Sequence, residues 1–161
     1  ELMEDDLRIL RENGYAVHLA PKLGIRESRR LVGRYVISGG DLVEGAIPDD
    51  SIFVTERGMD VWTEGKSTMS EYPSPKPYGI PFRALLPKKP EGLLVVGKAI
   101  SGTHLAMSAY RTQSIVGYTG EAGGIAAALS VKGGVPVAGV DRTELLARLP
   151  CRELLAKYGC L

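Results

Sequence analysis

From Thr112 to Ser130 the chain is built mostly of Ala, Gly, Ile, Val and Leu, with Glu121 its only charge, and that composition over such a length reads as a helix. The stretch carries Gly117, Gly120, Gly123 and Gly124, each costing up to roughly 1 kcal/mol against alanine in a helix interior. Such glycines need compensation, and the usual one is close approach of the backbone to another element or to a ligand. Ahead of the helix, Leu93-Leu94-Val95-Val96 is a short apolar run between Gly92 and Gly97, the pattern of a strand covered on both faces. A polar loop with Ser101, Thr103, His104 and Ser108 follows. Arg111, Thr112 and Gln113 then stand at the helix start, where unpaired N–H groups and the macrodipole favour an anionic or electron-rich group. A strand, a glycine turn and a ligand-facing helix start together point to a cofactor site, in a chain of mixed α and β structure (α/β).

Composition narrows the function classes. The 161 residues are 44% hydrophobic and 24% charged, which suits one globular domain. Twenty Lys and Arg against nineteen Asp and Glu leave a formal charge of +1, which gives no support for a nucleic-acid or membrane-surface partner. The apolar helix is interrupted by Gln113, Thr119 and Glu121 and is rich in Gly rather than Leu, so it does not read as a membrane span. Cys151 and Cys160 are the only cysteines and His18 and His104 the only histidines; neither pair has metal-ligand spacing, so no metal site is expected. Two free thiols suit a reducing, cytoplasmic compartment. Gly92 to Lys98 spells G-x-x-x-x-G-K, yet Ala99 offers no hydroxyl for magnesium and the intervening residues are the strand itself, which argues against a phosphate-binding loop. Ser101 and Ser108 lack the G-x-S-x-G setting of a hydrolase nucleophile.

Along the chain, Leu2 to Asn13 reads as an amphipathic helix stopped by Asn13-Gly14. Tyr15 to Ala20 reads as a strand, and Pro21 to Gly24 as a turn. Leu31 to Ile37 is strand-like, with β-branched and aromatic residues. Ser38 or Asp41 caps a short helix. Ile52-Phe53-Val54 fits either a strand or a helix, and Thr63 to Pro77 reads as a surface loop without regular elements. Trp62 reads as a packing residue rather than a substrate platform. Ile80, preceding Pro81, holds Tyr78 to Arg83 extended. Asp141 caps a helix carrying Leu145, Leu146 and Leu149, and a further turn runs to Gly159, which makes the tail an amphipathic docking unit.

Three ordered blocks carry a resemblance. They are Gly24-Ile25-Arg26-Glu27-Ser28-Arg29-Arg30-Leu31-Val32-Gly33; Tyr78-Gly79-Ile80-Pro81-Phe82-Arg83-Ala84-Leu85-Leu86-Pro87; and Gly92 to Lys98 with Ile100-Ser101-Gly102-Thr103-His104, Arg111-Thr112-Gln113 and Gly120 to Ala128. Together they resemble the C-terminal, flavin-contacting part of the FAD-dependent oxidoreductase family, with Lys98 in place of the more usual arginine and Gly102 in place of the more usual alanine. No G-x-G-x-x-G occurs in the sequence, so the resemblance implies the C-terminal fragment of a flavoprotein fold, inactive by itself and partnered by an N-terminal FAD-binding half or by a second copy. It implies a substrate-side region over 1–90, an FAD-contacting strand–loop–helix over 91–131 and docking helices over 132–161.

The resemblance also implies residue roles. FAD is the expected cofactor, contacted by Gly97, Lys98, Ser101, Arg111, Thr112, Gln113, Gly117 and Gly120, with hydride transfer to or from a small-molecule substrate. His104 either faces the flavin ring and moves a proton or is an ordinary loop histidine. Arg26 and Arg29 either hold an anionic substrate group or form a solvated basic turn. Tyr78 and Arg83 stand equally as substrate contacts or as structural anchors. An aspartate commonly follows the next glycine turn in the family, and Asp60 occupies that place. The alternative is a non-catalytic α/β structural or interaction module that keeps the packing of such a domain; flavin binding separates the two.

Overall fold

The computed structural model describes residues 2–16, 21, 24–63, 66–67 and 71–161. Helix α1 (Leu2–Glu12) ends as expected, with Arg11 in its last turn and Gly14 at φ 79° just beyond. Of the strand expected next, Tyr15 and Ala16 have no regular structure, and residues 17–20, including His18, lie outside the described residues, as do Lys22 and Leu23. Leu31 to Ile37 is not the strand its composition predicts. It makes isolated bridges from Gly33 to Pro87 and from Ile37 to Gly102. Its hydrogen bonds divide between separate segments: Arg34 N–H donates to Leu86 and Tyr35 N–H to Arg83, whereas Ile37 N–H donates to Ser101. Among the described residues no one neighbour runs alongside it, so no ladder forms there.

Helix α2 (Gly39–Glu44) has a complete capping box. Ser38 is the N-cap: its Oγ accepts from Asp41 N–H at 3.1 Å, and Asp41, inside the helix at N3 rather than at the cap, accepts from Ser38 N–H at 2.8 Å. The open choice at Ile52 resolves as strand β1 (Ser51–Thr55). Where the composition predicts a loop, β2 (Trp62–Thr63) pairs antiparallel with β3 (Lys66–Ser67). Strand β4 (Tyr78–Pro81) is buried throughout and pairs antiparallel with β1, with an irregularity between Ser51 and Phe53.

The run Leu93 to Val96 is the main departure in the strand assignments. Val95 N–H donates to Leu85, but none of the described strands pairs with the run, and Leu93 and Val96 are 44% and 41% exposed. The polar loop is also corrected: α3 (His104–Tyr110) follows, with Thr103 as N-cap accepting from Ala106 N–H at 3.3 Å. The hydroxyls that suggest a loop are spent on the helix itself, since Ser108 Oγ donates to Leu105 at 2.6 Å. Ala106, Met107, Ala109 and Tyr110 go into the core.

Helix α4 (Gln113–Gly133) matches the expected long helix, and Gly134 closes it at φ 61°. Ile115, Thr119, Ala122, Gly123, Ala126 and Leu129 are buried at helical spacing. Gly123 shows the anticipated compensation, because a Cβ there would lie 2.5 Å from Val96 Cγ1. The opposite face, with Gly117, Glu121, Gly124 and Ala128, is exposed and, apart from Glu121, built of small residues. Helices α5 (Arg142–Ala147), capped by Asp141, and α6 (Arg152–Lys157) follow. Leu145, Leu146, Leu149 and Leu155 are all buried. Strand β1 touches both α4 and α6: Phe53 stacks on Tyr118 at 4.2 Å, and Cys151 Sγ donates to Ile52 at 3.3 Å. Both cysteines are free and buried. Among the described residues no helix is long and apolar enough to cross a membrane.

Candidate functional site

The start of α4 opens on a cavity of about 790 Å³ lined by Arg26, Asp60, Lys98, Arg111, Thr112 and Gln113, with Ile25 and Ser114 beside them. The short α3 ends at Arg111 and α4 begins two residues later, so the turn between them presents Arg111 and the first N–H groups of a long helix to one space. Thr112 is the N-cap residue but its side chain makes no cap hydrogen bond, which leaves that end of the helix to an external acceptor. Arg111 is held by donation to Asp60 O at 2.7 Å. The Asp60 carboxylate lies 3.5 Å from Arg111 and 3.6 Å from Arg26. Lys98 Nζ donates to Ile25 O at 2.7 Å. Three cations share the lining with one carboxylate, and the potential favours an anion.

Two further cavities adjoin. One, of about 340 Å³, shares Arg26 and Arg111 with the first and adds Glu27, Trp62, His104 and Ser108. The other, of about 500 Å³, shares His104 with the second and is walled by Gly39, Gly40, Val43, Met59, Tyr72 and Leu105. His104 is the first residue of α3, so its exposed ring projects from a fixed helix end. Its Nδ1 is 2.6 Å from Glu27 Oε2, and the other Glu27 oxygen pairs with Arg30. A carboxylate on one ring nitrogen orients the imidazole and leaves Nε2 for a ligand. The Arg26 guanidinium lies over the Trp62 ring at 4.7 Å, so Trp62, 47% exposed, is a cavity wall rather than the packing residue expected.

The remaining expected site residues stand elsewhere. Gly97 takes φ 80° and donates its N–H to Thr119 Oγ1 at 2.9 Å, joining the turn to α4. A Cβ at Gly117 or Gly120 would meet nothing within 4 Å. Ser101 is buried, and its Oγ accepts from Gly33 N–H at 3.0 Å. Tyr78 is buried in the core with its hydroxyl donating to Arg57 O at 3.1 Å, and burial pushes its phenol well above the ordinary value. Arg83 donates through Nε and Nη2 to Asp50 at 2.9 and 2.8 Å, and its guanidinium lies over Tyr35 at 5.6 Å. Arg29 is exposed and lines none of the three cavities.

The contact of Glu27 with His104 has no signal in the sequence, although Glu27 stands only three residues before Arg30. Nor has the apolar cavity, whose walls come from segments with no shared motif.

A family model described as FAD dependent oxidoreductase matches residues 6–149. No curated protein and no solved structure matches the chain.

Proposed function

The chain belongs to the FAD-dependent oxidoreductase family, and on that premise we propose that it completes a flavin site and part of the substrate pocket for hydride transfer between a small molecule and FAD. The observation that carries this reading is the uncapped start of α4 beside Arg26, Lys98 and Arg111. That donor set fits an electron-rich cofactor edge or a phosphate, and the open backbone at Gly117 and Gly120 admits a planar group that side chains would exclude. Arg111, Thr112, Gln113 and Lys98 would hold the cofactor. FAD supplies the redox chemistry when bound; the protein supplies position and electrostatics.

In this reading the cations and the helix start stabilise negative charge at the cavity, an effect that is strong because the groups are already in place. Arg26 holds an anionic substrate group. His104, oriented by Glu27, accepts or returns a proton through Nε2. The exposed run Leu93 to Val96 and the small-residue face of α4 receive the rest of the flavin-binding fold or a second copy of the chain.

Flavin retention by Gly117→Leu tests the proposal. The protein's own packing leaves room for the new side chain, so thermal stability is expected to change little while flavin is lost. A variant that keeps its flavin refutes the placement of α4 against the cofactor.

A further inference from the structure

The three cavities form a row joined by shared residues: Arg26 and Arg111 belong to the first two, and His104 to the last two. Their chemistry changes along the row. The middle cavity carries the two guanidinium groups, each beside the Asp60 carboxylate at 3.5 to 3.6 Å, and its own carboxylate, Glu27, is already engaged by Arg30 and His104. The last is walled by Val43, Met59, Tyr72, Leu105 and the bare backbone of Gly39 and Gly40, with the exposed Glu44 also on its lining, and at about 500 Å³ it has the size of a small-molecule pocket. A charged cavity alone would take any small anion, and an apolar one any small hydrocarbon. Joined through one histidine, they select a molecule with both ends.

We infer that the substrate is a small carboxylate with a hydrocarbon or aromatic body, its carboxylate toward Arg26 and its body in the apolar cavity beside His104. This deepens the flavin-site reading and rests on it for the reaction, though not for binding. A guanidinium matches a carboxylate with two parallel hydrogen bonds. Each methylene placed in the apolar cavity adds affinity by leaving water. The arrangement puts the carbons between head and body next to His104 Nε2, the ring nitrogen that Glu27 does not engage.

The test titrates the native gene product with hexanoate, acetate and 1-hexanol, following binding by calorimetry. Hexanoate is expected to bind on the order of 100-fold more tightly than acetate, which lacks the body. It should also bind about tenfold or more above 1-hexanol, which lacks the charge. Gly40→Leu fills the apolar cavity from a helical position where a Cβ meets only Ser38 Oγ, at an ordinary 3.5 Å. It is expected to erase the preference for hexanoate over acetate, and Gly40→Ala to keep it. Equal binding of hexanoate and acetate, or a preference that survives in Gly40→Leu, overturns the inference. Visible flavin absorbance on the same samples separates the two readings. Flavin retained without the preference overturns the substrate class alone, whereas the preference without flavin supports the substrate class and overturns the cofactor reading.

Discussion

Gly102→Ala would restore the residue more usual in the family, and the structure predicts that it destabilises this protein. A Cβ at Gly102 would lie 2.7 Å from both Cε1 and Oη of Tyr110 and 3.1 Å from the Ile37 carbonyl oxygen. Neither neighbour has room to retreat. Ile37 O accepts from Thr103 N–H at 2.8 Å, which fixes the entry to α3. The Tyr110 ring is 1% exposed and its hydroxyl donates to Ile100 O at 3.1 Å. Forcing one methyl into a closed site costs about 1–3 kcal/mol; a central value of about 2 kcal/mol lowers Tm by about 4–8 °C in a chain of this size. Scanning calorimetry reads that shift directly. In a Tyr110→Phe background the contact with Oη is gone, so the alanine should cost less, with a coupling of about 0.5–1 kcal/mol in the double-mutant cycle. An unchanged or raised Tm for Gly102→Ala, or strict additivity with Tyr110→Phe, would refute the packing argument.

Other consequences are as direct. Asp50 accepts from the backbone N–H, Nε and NH2 of Arg83 at 2.8 to 2.9 Å, so Asp50→Asn should lower stability in urea by about 1–2 kcal/mol, the half-exposed guanidinium limiting the loss; an unmoved midpoint would show the cluster to be idle. Burial pushes the thiols of Cys151 and Cys160 above their ordinary 9.0. Both should alkylate far more slowly at neutral pH in the native protein than in denaturant, and equal rates would contradict their burial. Because the folded state favours the protonated thiols, their contribution to stability is complete below 9.0 and is lost as pH rises through the higher folded values, so Tm should decline above that pH.

What the sequence discloses depends on how local the determining physics is. The caps at Ser38 and Asp141 are legible because a cap acts within a few residues. Helix α4 is legible because its composition holds over many turns. The ladders expected at Leu31 to Ile37 and Leu93 to Val96 fail for the opposite reason, since strand pairing needs a neighbour supplied from elsewhere in the chain. Helix α3 is hidden by Thr103 and Ser108, whose hydroxyls suggest a loop yet serve as cap and back-bond. At the site, Arg26, Lys98, Arg111, Thr112 and Gln113 converge on one cavity from motifs that can be read in order. The Glu27–His104 contact joins residues 77 positions apart, and nothing in the spacing announces it. Tyr78 and Ser101 carry polar groups that suggest ligand contact but close hydrogen bonds inside the core.

Whether this protein forms part of a flavin site is read from the visible spectrum of the native gene product purified from its source, followed by identification of what it releases on denaturation. A yellow protein that releases FAD is expected. A correctly folded, colourless product that takes up no added FAD would contradict the flavin-site reading.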